Sequence, residues 1–323
     1  MPCAGHDVSD AVRVSSLVKL YGEVRAVDGI DFRVGTGQVF SFLGPNGAGK
    51  TTTVEILEGL RPRSSGDVEV LGLDPWKDVD RIHRKIGIIP QDFKFFEKVT
   101  AKEAVDLWAN LFGVKADATE LLRRVELSDK AGAYYETLSG GQKQKLGLAL
   151  ALVNDPEICF LDEPTTGLDP RARRSIWEVI RGLKSEGRTV FLTTHYLEEA
   201  QLLADEIAII NHGKIIVSGT PDALIQKYGA AERLRLVASP KLADWLRAHQ
   251  PLPVEVTNGA IEIPLQRKED ALKILTLVES SGIPWESFST KQDTLEDVFL
   301  RLVGRMDEEE GTVAGEPIRG AGA

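Results

Sequence analysis

The stretch Gly44-Pro45-Asn46-Gly47-Ala48-Gly49-Lys50-Thr51 fits the pattern G-x-x-x-x-G-K-[ST], and nothing else in the chain limits the fold as tightly. Triphosphate oxygens have to be met by several backbone N–H groups at once. Only a loop of small residues lets the backbone approach that closely. The pattern works when a buried strand leads into the loop and a helix leads out of it, because the helix start adds the positive end of its dipole. Both flanks are present: Val39-Phe40-Ser41-Phe42-Leu43 precedes the loop and Val54-Glu55-Ile56-Leu57 follows it. Lys50 is expected to place a point charge on the outer phosphates, the Thr51 hydroxyl to ligate Mg²⁺, and Thr52 to complete the cradle.

Other short apolar runs repeat the strand signal. Ile86-Gly87-Ile88-Ile89, Ile158-Cys159-Phe160-Leu161, Val190-Phe191-Leu192 and Ile207-Ala208-Ile209-Ile210 read as buried strands separated by helical patterns. That alternation predicts an α/β layer architecture with a largely parallel central sheet over residues 11–229. From Phe93 to Leu138 no strand is visible and the spacing of Ala104, Leu107, Trp108 and Leu111 is helical, so a helical insertion is expected over about 93–155. A second domain, 230–304, follows the order β-α-β-β-α-β of a small α+β, ferredoxin-like unit, with Asn258-Gly259 marking a hairpin. The acidic, then Gly- and Ala-rich tail 305–323 is expected to be disordered.

Asp162-Glu163 closes the strand that begins at Ile158. In an open α/β sheet, carboxylates at the C-terminal ends of strands point into the ligand crevice. Asp162 would hold Mg²⁺, directly or through water, and Glu163 would act as general base on an attacking water. An Asp-Glu pair alone is no more than a solvated strand end; the phosphate loop gives it meaning.

Leu138-Ser139-Gly140-Gly141-Gln142 starts a further helix, with Ser139 lying 23 residues before Asp162. Ser139 suits an N-cap, and Gly140 and Gly141 would leave the N–H groups of that helix open to an anion. With this pentapeptide the chain resembles the ABC transporter ATP-binding subunits over about residues 11 to 228. The extension ending in Thr294-Leu295-Glu296-Asp297-Val298-Phe299-Leu300-Arg301-Leu302 is similar to that of drug-resistance-type exporter ATPases such as those for daunorubicin.

The resemblance implies roles for single residues. Tyr21 matches the aromatic residue that stacks on adenine, and Gln91 the glutamine that touches Mg²⁺ and the attacking water. His195, after Thr193-Thr194, matches the switch histidine on the γ-phosphate, and Asp169, in Gly167-Leu168-Asp169, the loop that meets an opposing subunit. It implies ATP and Mg²⁺ as cofactors and a dimer of ATPase subunits in which the pentapeptide of one covers the nucleotide of the other. It implies a separate permease in the membrane, a peripheral place on its cytoplasmic face, and export of a drug, lipid or other amphiphile. Phe93, Lys94, Phe95, Phe96 and Val99 would lie on the surface that meets the permease, with at least one of Phe95 and Phe96 partly exposed. The second domain would stabilise the dimer or tune activity.

The charge balance, 39 Lys+Arg against 49 Asp+Glu, disfavours a nucleic-acid partner. Two lone cysteines, Cys3 and Cys159, suit a reducing compartment. The first ten residues do not resemble a signal peptide and no run is apolar enough to cross a bilayer, so a soluble chain is expected. The alternatives are a non-transport ABC ATPase of DNA repair or translation, an ATP-dependent regulatory module, and a P-loop kinase. The first usually carries a long coiled coil or tandem cassettes, and the last has no use for the pentapeptide.

Overall fold

The computed structural model describes residues 10–303, apart from residues 230, 231, 258, 266 and 292. Cys3, Asn258 of the expected hairpin and the tail 305–323 therefore lie outside the described residues. The chain divides into two compact units between Pro221 and Asp222.

The first unit opens with β1 (Asp10–Tyr21) and β2 (Val24–Gly35), followed by β3 (Val39–Leu43), α1 (Lys50–Leu57) and β4 (Ser65–Val70). Then come α2 (Val79–His83), β5 (Ile86–Ile89), α3 (Ala101–Phe112), α4 (Ala118–Arg124) and α5 (Gly140–Ala151). It closes with β6 (Ile158–Asp162), α6 (Pro170–Ser185), β7 (Thr189–Thr194), α7 (Leu197–Leu203), β8 (Glu206–Asn211) and β9 (Lys214–Gly219). Among the described residues a six-stranded sheet runs β5-β6-β7-β3-β8-β9, and only its edge strand β9 is antiparallel to its neighbour. The five apolar runs read from the sequence are the five parallel strands.

The sequence reading missed an antiparallel sheet, ordered β2-β1-β4. Its period of two is broken in β1 by register shifts, one of them at Ser16, which has φ 47°. A strand interrupted by bulges loses the alternation that announces it. The two sheets share an apolar layer in which Phe32, Phe40 and Phe191 meet with centroids 5.3–6.0 Å apart. The opposite face of the six-stranded sheet packs on helices in a second core that continues into α3, α4 and α5. Between Phe93 and Leu138 there is no strand, only a lone bridge between Thr100 and Tyr134, as the helical spacing implied. Cys159 in β6 is buried, and burial pushes its thiol up to about 12, so it serves as packing.

The second unit begins with α8 (Pro221–Tyr228) and continues through β10 (Arg233–Ala238), α9 (Pro240–His249), β11 (Glu255–Thr257) and β12 (Ala260–Pro264). It ends with α10 (Lys268–Ser280), β13 (Trp285–Lys291) and a helix over 295–303. The sheet order is β11-β12-β10-β13, antiparallel throughout, and Thr257 pairs with Ala260 across the hairpin. Leu234, Leu236, Ile261 and Ile263 bury one face against Leu242, Leu246, Ile274 and Val278 of the two helices. Its β-α-β-β-α-β element order is the one read from the sequence.

The glycines of the phosphate loop have a second reason to be glycine. A Cβ at Gly44 would stand 2.2 Å from the Ile210 carbonyl oxygen, and one at Gly49, whose φ is +104°, 2.4 Å from that of Ala26. The loop is pressed onto the backbones of β8 and β2 as well as shaped for phosphate. Gly44→Ala should therefore cost about 1–3 kcal/mol of stability by overpacking. Urea unfolding monitored by circular dichroism would measure this, and an unchanged midpoint would show that the β8 contact is slack.

Candidate active site

The site lies at the C-terminal ends of the parallel strands, where β3 leads through the glycine loop into α1. The N-cap of α1 is Gly49, with no side-chain cap and no acidic residue in the first turn. The N–H groups of that turn remain available to an anion. A cleft of about 230 Å³ opens over the loop, lined by Asn46, Gly47, Gly49, Lys50, Thr51, Thr52, Gln91 and Glu163, together with Ala26 from β2. Ala26 had no sequence signal, because its place depends on the antiparallel sheet. Gly44, Pro45 and Ala48 belong to the loop but do not line the cleft; Ala48 is buried, and its carbonyl accepts from Gly213 N.

Glu163 is the centre of the cleft. It is 6% exposed and adopts φ 49°, a left-handed conformation that non-glycine residues avoid. Two bonds from its backbone N–H hold it there, to Thr193 O at 3.1 Å and Thr193 Oγ1 at 3.0 Å. Lys50 Nζ lies 3.2 Å from Oε1; Thr166 Oγ1 donates to Oε2 at 3.0 Å, His195 Nδ1 lies 3.0 Å from it and Gln91 Nε2 3.4 Å. Burial by itself would raise the Glu163 pKa, but Lys50, Thr166 and His195 together hold it below the ordinary carboxylate value. The carboxylate is thus ionised and able to accept a proton. Lys50, 4% exposed, also donates to Gly44 O at 2.8 Å and Pro45 O at 3.1 Å.

Asp162, the last residue of β6, is buried. Burial raises its pKa against the pull of the Thr193 hydroxyl, which donates to it, and of the Thr51 hydroxyl, and the nearby Glu163 charge adds to the rise. Thr51, Asp162 and Gln91 offer hydroxyl, carboxylate and amide oxygens, the hard donors Mg²⁺ prefers. Among the described residues no group of three or more His, Cys, Asp or Glu could hold a metal ion by itself. The donor set therefore fits a Mg²⁺ that arrives with triphosphate oxygens completing its shell.

The pentapeptide faces a different cleft, of about 600 Å³, lined by Ser139, Gly141, Gln142, Asp169, Arg171 and Ala172 among others. Ser139 caps α5 as its type suggested, and Gln142 answers it: Gln142 N donates to Ser139 Oγ at 3.3 Å, and Ser139 N to Gln142 Oε1 at 2.9 Å. Gly140 is exposed at this helix start. Gly141 is required for packing too, since a Cβ there would sit 2.8 Å from the Ala172 Cβ. The Asp169 side chain caps α6, accepting from Arg171 N and Ala172 N at 2.9 Å each. Tyr21 stands at the end of β1, 40% exposed, beside Lys19 and Arg61, and is not among the residues lining the phosphate cleft.

Several acting residues carried no legible signal: Thr193 and Thr166, which shape Glu163, and Glu58, which caps the C-terminal end of α1. Glu58 is 3% exposed with Oε1 unpartnered. Burial, then the charges of Asp162 and Glu55, raise its pKa well above the ordinary glutamate value of 4.5.

Comparisons with known proteins give the family. The family model described as ABC transporter matches residues 27–166. The chain is 37% identical over 311 residues to the daunorubicin resistance ATP-binding protein DrrA2 of Streptomyces coeruleorubidus, covering 92% of this chain and 96% of that protein. It is 35% identical over 314 residues to the Nod factor export ATP-binding protein I of Ralstonia nicotianae, covering 94% and 97% respectively. An ATP-binding cassette solved as a dimer in a post-hydrolysis state, bound to ADP and Pi, superposes with a TM-score of 0.58 at 28% identity over 65% of this chain and 98% of that one. The chain belongs to the ABC transporter ATP-binding proteins.

Glu58 makes a pH dependence testable. Its folded pKa is raised, so its contribution to stability is full below 4.5 and is lost as pH climbs through the folded value. Glu58→Gln, neutral at every pH, should flatten the fall of Tm that the parent shows as pH is raised from 5 to 9. Parallel Tm profiles for the two chains would rule this out.

Proposed function

We propose that this ABC ATP-binding protein hydrolyses ATP as one of two subunits that close on nucleotide, and that it drives export through a permease carried on a separate polypeptide. The observation that carries this is the gathering of Lys50, Thr166, Gln91 and His195 on an ionised, buried Glu163 at the base of a glycine-lined phosphate cleft. A regulatory module that merely binds ATP has no need of a carboxylate held in a left-handed conformation at that point.

Residues act in turn. The loop N–H groups and the start of α1 take up the β- and γ-phosphates, and Lys50 exchanges carbonyl and carboxylate acceptors for phosphate oxygens. Thr51, Asp162 and Gln91 would hold a bound Mg²⁺, which would supply positive charge to offset that of the phosphate oxygens. Glu163, released from Lys50, accepts the proton of a water whose oxygen bonds to the γ-phosphorus, while the bond from phosphorus to the β-bridging oxygen breaks and ADP keeps that electron pair. His195 orients the γ-phosphate.

The pentapeptide lines a second cleft in the same chain, so it is free to cover a nucleotide held by another subunit. The dimeric cassette bound to ADP and Pi supports that arrangement. ATP buried between two subunits would favour closure by mass action, and hydrolysis would release it. Among the described residues no helix is long and apolar enough to cross a membrane, in keeping with a permease in another chain and a peripheral, cytoplasmic-face position. Relatives named for daunorubicin resistance and Nod factor export support a drug, lipid or other amphiphile as cargo. The second unit is assigned to stabilising the dimer or tuning its activity.

The coupling surface is on the helical insertion. Phe95 packs among Phe93, Trp108 and Tyr135, whereas Phe96 is 65% exposed, as is Leu111 at 68%. An exposed Phe beside a partly buried aromatic group fits a short permease helix.

Glu163→Gln should lower turnover by about 10²–10⁴-fold, the range for loss of a general base. The variant should also accumulate as an ATP-dependent dimer in size-exclusion chromatography; unchanged phosphate release would sink the catalytic reading. Phe96→Ala should leave ATPase activity of the isolated chain near the parent's while abolishing transport when the permease is co-expressed. Intact transport by that variant would remove Phe96 from the coupling surface.

A further inference from the structure

Glu163 follows the end of β6 and His195 the end of β7, and the contact between them depends on the backbone segments that carry them. One buried side chain reaches all of these segments. Glu199, in α7, is 0% exposed, and its Oε1 accepts from Thr165 Oγ1 at 2.9 Å and from Trp177 Nε1 at 2.9 Å. Its other carboxyl oxygen, Oε2, is buried without a hydrogen-bond partner. Thr165, itself 0% exposed, lies two residues beyond Glu163, and Glu199 lies four residues beyond His195, in the helix that follows it. Trp177 lies in α6, the helix capped by Asp169. A second contact joins the same two helices: the Arg173 guanidinium, from α6, lies 4.2 Å from the centre of the Tyr196 ring, next to His195.

We propose that Glu199 is a positioning residue that holds the Glu163 loop, the His195 strand end and helix α6 in one rigid arrangement, so that the proton acceptor and the phosphate-orienting histidine keep their register. A carboxyl group with no exposure serves this purpose because each of its hydrogen bonds is costly to break in a medium that offers no water as replacement. Burial raises the Glu199 pKa against the pull of Thr194, Trp177 and Thr165. A neutral amide of the same shape is therefore a close substitute, since its oxygen still accepts from Thr165 and Trp177. The inference rests on the reading of Glu163 and His195 as a hydrolytic pair, and its test separates the two.

The full chain is compared with Glu199→Ala, Glu199→Gln and Thr165→Val, the last preserving volume while removing the hydroxyl that donates to Glu199. Two measurements are made on each: steady-state ATPase kinetics with the equilibrium Kd for a non-hydrolysable ATP analogue, and hydrogen exchange of the backbone segments 163–168 and 194–199. Glu199→Ala and Thr165→Val should lower kcat at least about tenfold with the Kd unchanged within about twofold, the pattern of an interaction needed in the transition state. They should speed exchange in those two segments alone, and Glu199→Gln should restore both readouts to near the parent's. If Glu199→Ala does not fold, Thr165→Val and Glu199→Gln still decide the matter. The proposal is overturned if Thr165→Val leaves kcat and exchange as in the parent, if Kd weakens in step with kcat, or if Glu199→Gln behaves no better than alanine. Local exchange changing as expected in a parent that releases no phosphate would instead uphold the positioning role and defeat the hydrolytic reading.

Discussion

A lysine and a glutamate, both nearly without solvent, lie 3.2 Å apart at the base of the glycine loop. Removing two charges from water costs several kcal/mol for each, and their mutual attraction repays this only with further hydrogen bonds around both. Those bonds are present: two loop carbonyls on Lys50, a hydroxyl and a histidine on Glu163. Such a pair is a poor way to stabilise a fold, since apolar residues of the same volume would do as well or better. Its value lies in the charges themselves. In the proposed reaction, a phosphate group entering the loop would offer Lys50 a better acceptor and leave Glu163 free to act as base.

Holding that arrangement requires a rigid floor. The strands β3, β6 and β7 supply it from the middle of the sheet, where every residue of all three is buried. Their side chains fill both faces, with the phenylalanine layer toward the antiparallel sheet and the aliphatic layer toward the helices. An interior packed at crystal-like density does not deform gradually. The left-handed φ of Glu163 can be sustained because the neighbouring Thr193 on β7 takes both its hydrogen bonds. Strain at one residue is thus offset by the order of its neighbours.

The two glycine-bearing helix starts are built differently. At α1 the N-cap is a glycine and the N–H groups are left open. At α5, by contrast, Ser139 and Gln142 satisfy each other, and a Gln142 side chain locked in a capping box fixes the direction of the helix and the exposed Gly140. Helix α6 is fixed in the same way by Asp169. In the proposed function the first site would grip a nucleotide within its own chain, and the second would present a preformed surface, which costs less ordering on contact than a flexible one.

Residue type and spacing alone determined the phosphate loop, the acidic pair Asp162-Glu163, the capping of α5 by Ser139, the parallel strands and the element order of the second unit. Each is a local pattern: the chemistry of loop, cap or strand is written within a few consecutive residues. The antiparallel sheet was not legible, because bulges in β1 disrupt the period of two that would reveal it. Nor were the parts played by Ala26, Glu58, Thr193 and Glu199, since each acquires its role from residues 20 to more than 100 positions away. A glutamate in an amphipathic helix looks solvated in sequence; only tertiary packing made Glu199 a buried acceptor, because burial and partner are properties of what folds against a residue. The same holds for the glycines, whose type foretold an open loop, while the backbones of β8 and β2 pressed against it were decided by the assembly of two sheets.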